Sequence, residues 1–593
     1  MNRFVERLAL LRAALNQNSI DAYIIPLSDP HFTESVPDYW NIISWLTGFT
    51  GSAARAVVTE TFAGFWTDSR YFLQAERQLA GSGFEVVKPS SSGFSDCIEW
   101  IASNLRNGSR IAFDGRIISI SLARKLKKDL EGKRMKFQVD CDLVSDIWQD
   151  RPSLPSSDVW EHAPEFSGLD RIKKIHAVRE QMKKLGIDYH LLTSPDDIMW
   201  LLNIRGNDLP FTPLAFSYAI LGRKQILLFI DESRFPHTLS SEFDRIDIVM
   251  LPYDETSGMI SALTDGKTIL LDPAATSLTL FNSVPQKFGI IEDISIPARM
   301  KAIKNRTEIE NIGRVMIKDG AALTKFFYRI ENDLGMVPMT EQSLVMRLHE
   351  FRAKNEDFIG PSFASIIAFN EHAVLPHYIP SPESDAVLGE KGILLVDSGG
   401  QYQGGTTDIT RTISLGAPST KQRNDFTLVL KGFIDLAMAK FPRGTKGCHI
   451  DSIARKPLWK SGLNYGHGTG HGVGYCLNVH EGPQSISPVN DKTEIEPGMV
   501  ISDEPAVYRE GEYGIRTENL LLCYEDEETE FGQFLRFDTL SLCFIDKKLI
   551  DKSLLDNEEI SWLNSYHSEV FEKIGPSLTE EEKAWLKEKT NPV

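Results

Sequence analysis

An internal repeat is the feature that most constrains how this chain can fold. Residues 7–32 and residues 171–198 share one plan: an amphipathic helix, a short break that ends in Ile-Asp, and an apolar strand of four or five residues. A tryptophan-leucine pair follows each copy, at residues 45–46 and at residues 200–201. Helix and strand alternating in two related copies indicate two related α/β domains in the N-terminal half.

The length of the chain supports further division. At 593 residues it exceeds what one hydrophobic core organises. The polar, proline-bearing residues 149–168 are typical of a linker. We therefore predict an α/β domain in residues 1–155, its duplicate in residues 156–302, and a third, α+β domain in residues 303–593.

The third domain begins with a long helix in the sequence pattern. Thr307 and Glu310 have the spacing of a capping box, and apolar residues follow at helical intervals. From about residue 358 short apolar strands alternate with glycine turns, which predicts an antiparallel sheet flanked by helices. The stretch that begins DNEEISW reads as two charged amphipathic helices that form a packed tail.

Bulk properties exclude several classes of partner. The formal net charge of −18 and the pI near 5.3 argue against nucleic acid or an anionic membrane as the main partner. No secretory leader pattern is found, and no run of about 18 apolar residues predicts a membrane span. The six cysteines are scattered without a CxxC pair, which predicts reduced thiols in a cytoplasmic protein.

Residues 464–474, NYGHGTGHGVG, place glycine at alternate positions around His467 and His471. Each interior glycine costs a helix about 1 kcal/mol relative to alanine, so a two-histidine metal-binding helix is excluded. An extended segment keeps the other side chains on one face and leaves the glycine face bare for close backbone approach. The imidazoles then lie roughly 13 Å apart and are not expected to bind one ion. A glycine-rich turn with two exposed histidines is the alternative.

Two hairpins carry pairs of carboxylates. In residues 391–416 a turn centred on Tyr402–Gly405 places Asp397 and Asp408 diagonally across one face. In residues 498–523 a turn at Gly511 sets Glu504 opposite Glu518. Like charges opposed across a sheet are destabilising, so each pair needs compensation. Solvation, or separate pairing with basic residues, is the alternative explanation.

Four carboxylates and one imidazole suit two hard divalent cations that share a site, because the formal charges then balance. A structural zinc site is disfavoured since no cysteine ligand set exists, and the acid spacing does not fit an EF-hand. Two ions about 3.5–4 Å apart hold a bridging water as hydroxide near neutral pH and polarise a carbonyl. The predicted chemistry is therefore hydrolytic.

These segments resemble those of the pita-bread metallopeptidases, the group of methionine aminopeptidase, prolidase and aminopeptidase P. Within the group the chain resembles the long, three-domain cytosolic Xaa-Pro aminopeptidases. The resemblance covers essentially the whole chain and implies creatinase-like N-terminal domains, a C-terminal pita-bread catalytic domain and a homodimer. The segments that carry it are WTDSRYFLQAERQL, GPSFASIIA, DSGGQYQGGTTDITRT, HGTGHGVGYCLNVHEGP and SDEPAVYREGEYGIRTEN.

The resemblance implies a ligand set. Asp397 and Asp408 ligate mainly one ion, with Asp408 also reaching the second. His471 is the lone imidazole ligand, Glu504 binds one ion and Glu518 bridges the two. Members of the family typically use manganese and sometimes cobalt, so two Mn²⁺ ions are the expected cofactors, with Co²⁺ as the alternative.

The resemblance also implies catalytic roles. Glu504 is expected to accept the proton of the attacking water, and His467 to lie toward the substrate. His377 and His480 match histidines that bind the scissile carbonyl or steady the tetrahedral intermediate, a kind of stabilisation that contributes about 10²–10³ in rate. Arg516 is expected to pair with an acid near the site.

Two stretches depart from the family pattern. FNEHAVLPHY adds His372 and Pro376 where the animal enzymes have a more glycine-rich approach to His377, and residues 506–507 are Ala-Val in place of Gly-Tyr. Neither departure replaces a ligand. They concern the shape of the substrate pocket.

The leading hypothesis is an exopeptidase that acts on peptides with proline in the second position. Prolidase, which cleaves only Xaa-Pro dipeptides, shares the ligand set, and the three-domain length favours the aminopeptidase. A pita-bread module that binds peptides without hydrolysis is the alternative from another class, disfavoured because such modules generally lack the complete ligand set. Creatinase-like, metal-independent hydrolysis is disfavoured for the same reason.

Overall fold

The structure is a computed structural model that describes residues 2–68, 71–88, 95–263, 267–490 and 492–593; Ser69 and Arg70 of the WTDSRYF segment lie outside these residues. The chain forms two compact units. The first comprises Met1–Glu161, Arg171–Pro210 and Leu214–Pro297, and the second comprises His162–Asp170, Phe211–Pro213 and Ala298–Val593. The predicted boundaries at residues 155 and 302 stay predictions. In the described part of the chain, no helix is long and apolar enough to cross a membrane.

The first unit contains a six-stranded sheet in the order β4-β3-β2-β1-β5-β6. Its strands are β1 (Ala22–Pro26), β2 (Arg55–Thr59), β3 (Ala63–Trp66), β4 (Glu85–Val87), β5 (Arg110–Ala112) and β6 (Lys136–Gln138). Its helices are α1 (Arg3–Gln17), α2 (Ile42–Thr47), α3 (Phe72–Gln78), α4 (Ser95–Asn104) and α5 (Ile120–Asp129). Strand β1 is buried on both faces: Tyr23 and Ile25 pack with α1, while Ala22 and Ile24 pack with α4 and α5. A continuous apolar run is what such a strand requires.

A second six-stranded sheet in the same unit has the order β12-β11-β10-β8-β13-β14. Its strands are β8 (Tyr189–Leu192), β10 (Tyr218–Gly222), β11 (Ile226–Phe229), β12 (Ile248–Leu251), β13 (Thr268–Leu271) and β14 (Gly289–Glu292); β7 (Trp160–Glu161) and β9 (Ile204–Arg205) pair separately. The helices of this part of the chain are α6 (Pro164–Ser167), α7 (Arg171–Lys184), α8 (Pro195–Leu202), α9 (His237–Arg245), α10 (Thr256–Ser261), α11 (Leu278–Asn282) and α12 (Ile296–Ala302).

The two sheets repeat one topology, which confirms the internal repeat read from the sequence. In each, three antiparallel strands are flanked by parallel strands at the edges. The repeated Ile-Asp has a structural reason. Asp21 donates its N–H to the carbonyl of Arg110, and its carboxylate accepts the N–H of Arg110. Asp188 makes the same pair of bonds with Thr268, so each aspartate starts the parallel pairing of the first strand of its copy.

The segment predicted as a linker is more ordered than its composition indicates. Residues 149–168 include β7 and α6, and Ser157 donates from its N–H and its hydroxyl to Asp208. Helix α6 belongs to the second unit, where Phe166 and Glu165 accept hydrogen bonds from Asn311. A segment rich in proline and serine therefore forms short secondary-structure elements here, which hydrogen bonds to other parts of the chain hold in place.

The second unit is built around long helices: α13 (Arg306–Asp333), α14 (Glu341–Arg352), α15 (Thr420–Ala437), α16 (Gly447–Lys460), α17 (Asn557–Ile574) and α18 (Glu580–Thr590). The last two are the helical tail predicted from the sequence. The predicted capping box at the start of α13 was wrong. Asn305 is the N-cap and Glu308 completes the box, while Glu310 pairs with Arg306 one turn away.

The strands of the second unit are antiparallel, as predicted. They are β15 (Phe358–Pro361), β16 (Ile366–Phe369), β17 (Gly392–Ser398), β18 (Gly400–Tyr402), β19 (Gly405–Thr406), β20 (Ile409–Leu415), β21 (Lys440–Pro442), β22 (Gly470–His471), β23 (Ser485–Ile486), β24 (Val500–Asp503), β25 (Ala506–Arg509), β26 (Tyr513–Arg516), β27 (Asn519–Thr529) and β28 (Gly532–Thr539). One hydrophobic core joins α13, α15 and α17 to strands β17, β20, β24 and β27.

Candidate metal centre

The first hairpin has the predicted register. Tyr402 pairs with Gly405 at its turn, and Asp397 pairs with Thr410. Continuing this register places Asp408 diagonally across from Asp397, just before β20 begins. Both aspartates are buried, so two carboxylates face one another inside the unit.

The second hairpin is symmetric about Gly511. Ala506 pairs with Arg516, and three residues further from the turn Asp503 pairs with Asn519. Glu504 and Glu518 occupy the positions between these two pairs, so the same register sets them opposite each other, as the sequence predicts. Glu518 is buried, whereas Glu504 keeps 20% of its side chain exposed.

The glycine-histidine segment lies against other backbone on its glycine face. A Cβ added at Gly470 would lie 1.8 Å from the carbonyl oxygen of Ser502, and one at Gly472 would lie 2.1 Å from that of Glu481. At Gly474 the nearest atom, the carbonyl oxygen of Asn478, would be 2.5 Å away. The predicted close backbone approach is thus confirmed at these three glycines.

The separation predicted for the two imidazoles was too large. His467 Nδ1 and His471 Nε2 each lie 3.8 Å from an oxygen of Glu504, so both rings reach the same carboxylate. The reason is that only residues 470–471 form a strand, and the residues before them depart from an extended backbone.

Side chains from the three segments converge. Among the described residues, three groups of potential ligand atoms each lie within 4.8 Å of one another, and they overlap. The groups are Asp397, Asp408 and Glu518; His471, Glu504 and Glu518; and Asp408, His471 and His480. All five residues predicted as ligands belong to these groups. His480, predicted to bind the scissile carbonyl or steady the tetrahedral intermediate, joins one of them.

Burial, followed by the charges of neighbouring acids, raises the pKa of three carboxylates of the cluster. Burial, followed by the charge of Asp408, raises the pKa of Glu518 well above its ordinary value. Burial raises the pKa of Asp397 to about 6, against the opposing effect of Arg516. Burial likewise raises the pKa of Glu504 to about 7. Such mutual destabilisation of the charged forms is what bound cations relieve.

Arg516 pairs with Asp397 and donates to Thr410 from Nε at 3.1 Å. The Thr410 hydroxyl in turn donates to Glu518 Oε2 at 2.6 Å. The sequence analysis did not single out Thr410. Its position two residues after Asp408 in an extended strand, and therefore on the same face, is the signal that could have found it.

Backbone carbonyls orient the two histidines of the glycine segment. His471 Nδ1 lies 2.9 Å from the carbonyl of Gly472, so Nδ1 donates and Nε2 is directed at Asp408, 3.3 Å away. His467 Nδ1 lies 2.7 Å from the carbonyl of Gly468 in the same way. A second contact that holds a ligating imidazole in one tautomer is typical of metal sites.

The remaining predicted histidines lie on loops. His480 is exposed, and its ring meets that of His471 edge-on with centroids 4.3 Å apart. His377 is half-buried in a turn that follows the short 3₁₀ helix Asn370–Val374. Neither His377 nor His467 belongs to the ligand groups found in the described residues.

The donor set fits two divalent cations. Asp397 Oδ1 is buried with no hydrogen-bond partner among the described residues, although its other oxygen is paired with Arg516. Hard cations prefer carboxylate oxygens, supplemented here by one imidazole. Four acids with one guanidinium leave an excess of negative charge that two divalent ions compensate.

Comparison with known proteins places this geometry in a family. The model of "Metallopeptidase family M24" matches residues 310–525, and that of its C-terminal region matches residues 533–593. The "Creatinase/Prolidase N-terminal domain" matches twice, at residues 7–144 and 150–308.

Curated relatives match over 99% of the chain. The chain belongs to metallopeptidase family M24. The chain is 37% identical to Aminopeptidase P2 of Arabidopsis thaliana, and the match covers 99% of this chain and 88% of the relative.

Another family member, Xaa-Pro aminopeptidase app-1 of Caenorhabditis elegans, is 36% identical over 99% of this chain and 100% of its own. A crystal structure of an X-prolyl aminopeptidase from that organism, described as a cytosolic enzyme with a di-nuclear active site, covers 100% of both chains at 34% identity with a TM-score of 0.95. The resemblance to the long Xaa-Pro aminopeptidases is confirmed. So is the fold class, two creatinase-type α/β domains followed by a pita-bread domain, and so is the assignment to enzymes.

Proposed function

We propose that this M24 family member is a metal-dependent exopeptidase that removes the N-terminal residue of peptides with proline in the second position. The observation that carries the proposal is the convergence of Asp397, Asp408, His471, Glu504 and Glu518 within one cluster. Full-length relatives that bear the name Xaa-Pro aminopeptidase support the substrate class.

Two divalent cations would be held by these five residues, and Mn²⁺ is the proposed species, with Co²⁺ as the alternative. Such ions, when bound, lower the pKa of water and act as Lewis acids toward the scissile carbonyl. Asp397 and Asp408 would serve mainly one ion, His471 would be the single imidazole ligand, Glu504 would serve one ion, and Glu518 and Asp408 would contribute to holding both. A neighbour with a di-nuclear active site supports the count.

The protein's own groups handle the proton and the carbonyl. Glu504 is the proposed base for the attacking water, because its carboxylate belongs to the ligand cluster and also keeps 20% of its side chain exposed, so that it can reach a bound ion and a water molecule together. His377 and His480 are the proposed donors to the carbonyl oxygen as it gains charge. His467 is proposed to face the substrate from the side of Glu504, and Arg516 to hold Asp397 in its orientation.

We place the enzyme in the cytoplasm because its X-prolyl aminopeptidase neighbour is described as cytosolic. The homodimer implied by the resemblance stays a prediction.

Hydrolysis of Arg-Pro-Pro by protein stripped with a chelator and reloaded with Mn²⁺, Co²⁺ or Zn²⁺ tests the proposal. Free arginine should appear only after metal is returned, and Arg-Ala-Pro should be cleaved far more slowly. Glu504→Ala and Asp408→Ala should each abolish release. Glu510→Ala is the matched control, because Glu510 is an exposed acid in the turn of the same hairpin and its loss should leave turnover unchanged.

The same assay separates the alternatives. Cleavage of the dipeptide Arg-Pro without cleavage of Arg-Pro-Pro would identify a prolidase. Well-folded, metal-loaded protein that binds Arg-Pro-Pro and releases no arginine from any Xaa-Pro peptide would refute the exopeptidase and identify a binding module.

A further inference from the structure

Glu341 is a fully buried carboxylate that belongs to none of the ligand groups of the metal centre. It is the first residue of α14, whose N-cap is Thr340. The start of a helix carries partial positive charge from its free N–H groups, which stabilises an ionised acid there. A charge buried at this position also needs hydrogen-bond donors around it.

In the part of the chain that the structure describes, the hydrogen-bond donors to Glu341 come from one segment, residues 369–386. They are the N–H of Phe369 at 2.7 Å, Nδ1 of His372 at 2.9 Å, the hydroxyl of Tyr378 at 2.7 Å and the N–H of Ala386 at 3.1 Å. Two of these donors, His372 and Tyr378, flank His377 in the sequence, and their rings lie 4.6 Å apart. The Glu341 carboxylate thus binds residues on both sides of His377, the histidine predicted to bind the scissile carbonyl.

This loop also contacts the strand that carries Arg516. A Cβ added at Gly514 would lie 1.8 Å from the carbonyl oxygen of Ala373, so the two backbones are in direct contact. Tyr378 donates its N–H to the carbonyl of Leu375 at 3.0 Å, which closes the turn containing His377. The segment that contains His377 is therefore held by hydrogen bonds to Glu341 and by backbone contact with strand β26.

We propose that Glu341 is the positioning residue for His377, acting through His372 and Tyr378. The proposal rests on the function proposed above, in which His377 donates to the carbonyl oxygen. The side chain of such a donor must be held within about 0.5 Å of the position in which it acts. Because His377 is half-buried and lies on a loop, its position depends on the contacts that fix that loop. His372, an addition relative to the glycine-rich approach of the animal enzymes, is part of that support in this chain.

A double-mutant cycle tests the coupling. We expect Glu341→Gln to lower kcat on Arg-Pro-Pro about 10-fold and His377→Ala to lower it about 10²-fold, with bound Mn²⁺ unchanged in both. If Glu341 acts through His377, the double variant should resemble His377→Ala to within about 2-fold. Losses that multiply in the double variant would overturn the proposal, because they would show an independent structural effect.

Glu559→Gln is the matched control, since Glu559 is also a buried glutamate in the first turn of a helix, paired with Lys431. It should lower thermal stability and leave kcat unchanged. Hydrogen exchange gives a second readout: Glu341→Gln should speed exchange in residues 369–386, and Glu559→Gln should not. Unchanged exchange in both would count against the proposal.

If Glu341→Gln fails to fold, Tyr378→Phe and His372→Ala take its place in the same cycle, because each removes one donor and leaves the carboxylate intact. Additive losses in both would overturn the positioning role while wild-type activity still supports the exopeptidase. Wild-type protein that cleaves no Xaa-Pro peptide would instead overturn the proposed function, and the positioning role with it.

Discussion

The hydroxyl of Tyr508 lies 2.8 Å from Nη1 of Arg516 and 2.9 Å from Nε2 of His467. A guanidinium only donates, so the hydroxyl accepts from Arg516 and directs its own proton at His467. His467 Nδ1 faces a carbonyl, which leaves Nε2 as the acceptor. A chain of contacts therefore runs from Asp397 through Arg516 and Tyr508 to His467, and it joins a predicted metal ligand to a predicted substrate-facing imidazole.

Tyr508→Phe should break this chain without removing a ligand. We expect kcat on Arg-Pro-Pro to fall about 10-fold while metal content stays constant, because His467 loses the donor that fixes its orientation. Steady-state kinetics with metal analysis measure both. Tyr513→Phe serves as control: its hydroxyl, in the same hairpin, donates to Asp425 away from the ligands. Equal losses of kcat in the two variants would contradict the proposed link.

Gly470→Ala should disturb the metal centre through sterics alone. The new methyl group would overlap the carbonyl of Ser502, and the backbone must move beside His471. We expect the free energy of unfolding to fall by about 1–3 kcal/mol, together with weaker Mn²⁺ binding, as measured by urea titration and calorimetry.

The matched variant is Gly468→Ala, where the nearest atom would be 3.5 Å away. Its free energy of unfolding should change by no more than about 0.5 kcal/mol. A loss at Gly468 as large as at Gly470 would mean that backbone flexibility, and not close approach, explains the glycines.

Metal-free protein should lose stability as the pH rises. Burial raises the pKa of Asp397 to about 6, of Glu504 to about 7, and of Glu518 well above its ordinary value. The folded state therefore holds protons that the unfolded chain has already released, so the stabilising contribution is complete below about pH 4 and declines as the pH rises through the folded values.

The melting temperature of chelator-treated protein should accordingly fall between about pH 5 and about pH 8. Divalent metal should reverse the fall, and its stabilising effect should grow with pH because the ligands must be deprotonated. Glu504→Gln should flatten the metal-free profile by removing one titrating group. A metal-induced shift in melting temperature that is the same at every pH would contradict this account.

Removing the negative charge of Glu481 is expected to lower the free energy of unfolding substantially. It is fully buried between Lys301 at 2.9 Å and Lys304 at 2.7 Å. Against the effect of burial, these two ammonium groups hold its pKa below the ordinary value. Glu481→Gln leaves two buried cations uncompensated and should cost about 3–5 kcal/mol of unfolding free energy.

Chemical denaturation measures that cost, with Glu496→Gln as the control at a partly exposed pair with Arg443. The control should change stability by no more than about 1 kcal/mol. Similar losses for both variants would show that the buried lysines find other partners.

The sequence predicts those parts of the site that depend on local symmetry. The registers of the two hairpins follow from turns at Tyr402–Gly405 and Gly511, and with them the placement of the four carboxylates. The contact between Arg516 and Thr410 does not follow, because it joins strands of two different hairpins. The register within either hairpin places residues only across that hairpin, as it does for Tyr508 and Arg516, which lie diagonally opposite.

The start of α13 shows a second limit of sequence reasoning. Asn305 with Glu308 and Thr307 with Glu310 both have capping-box spacing, and local propensity does not choose between them. The structure begins the helix at the earlier pair, where Asn305 also donates to the carbonyl of Ser167. A tertiary contact decides the helix boundary.

The glycines at 470, 472 and 474 also limit how this enzyme can change over evolutionary time. At each of these positions a neighbouring carbonyl oxygen occupies the space that a side chain would need. Any substitution there therefore disturbs the backbone, whatever its effect on substrate binding. New peptide preferences are expected to arise elsewhere, from the loops that carry His377 and His480. A mutagenesis library aimed at altered specificity should leave the glycines constant and vary those loops.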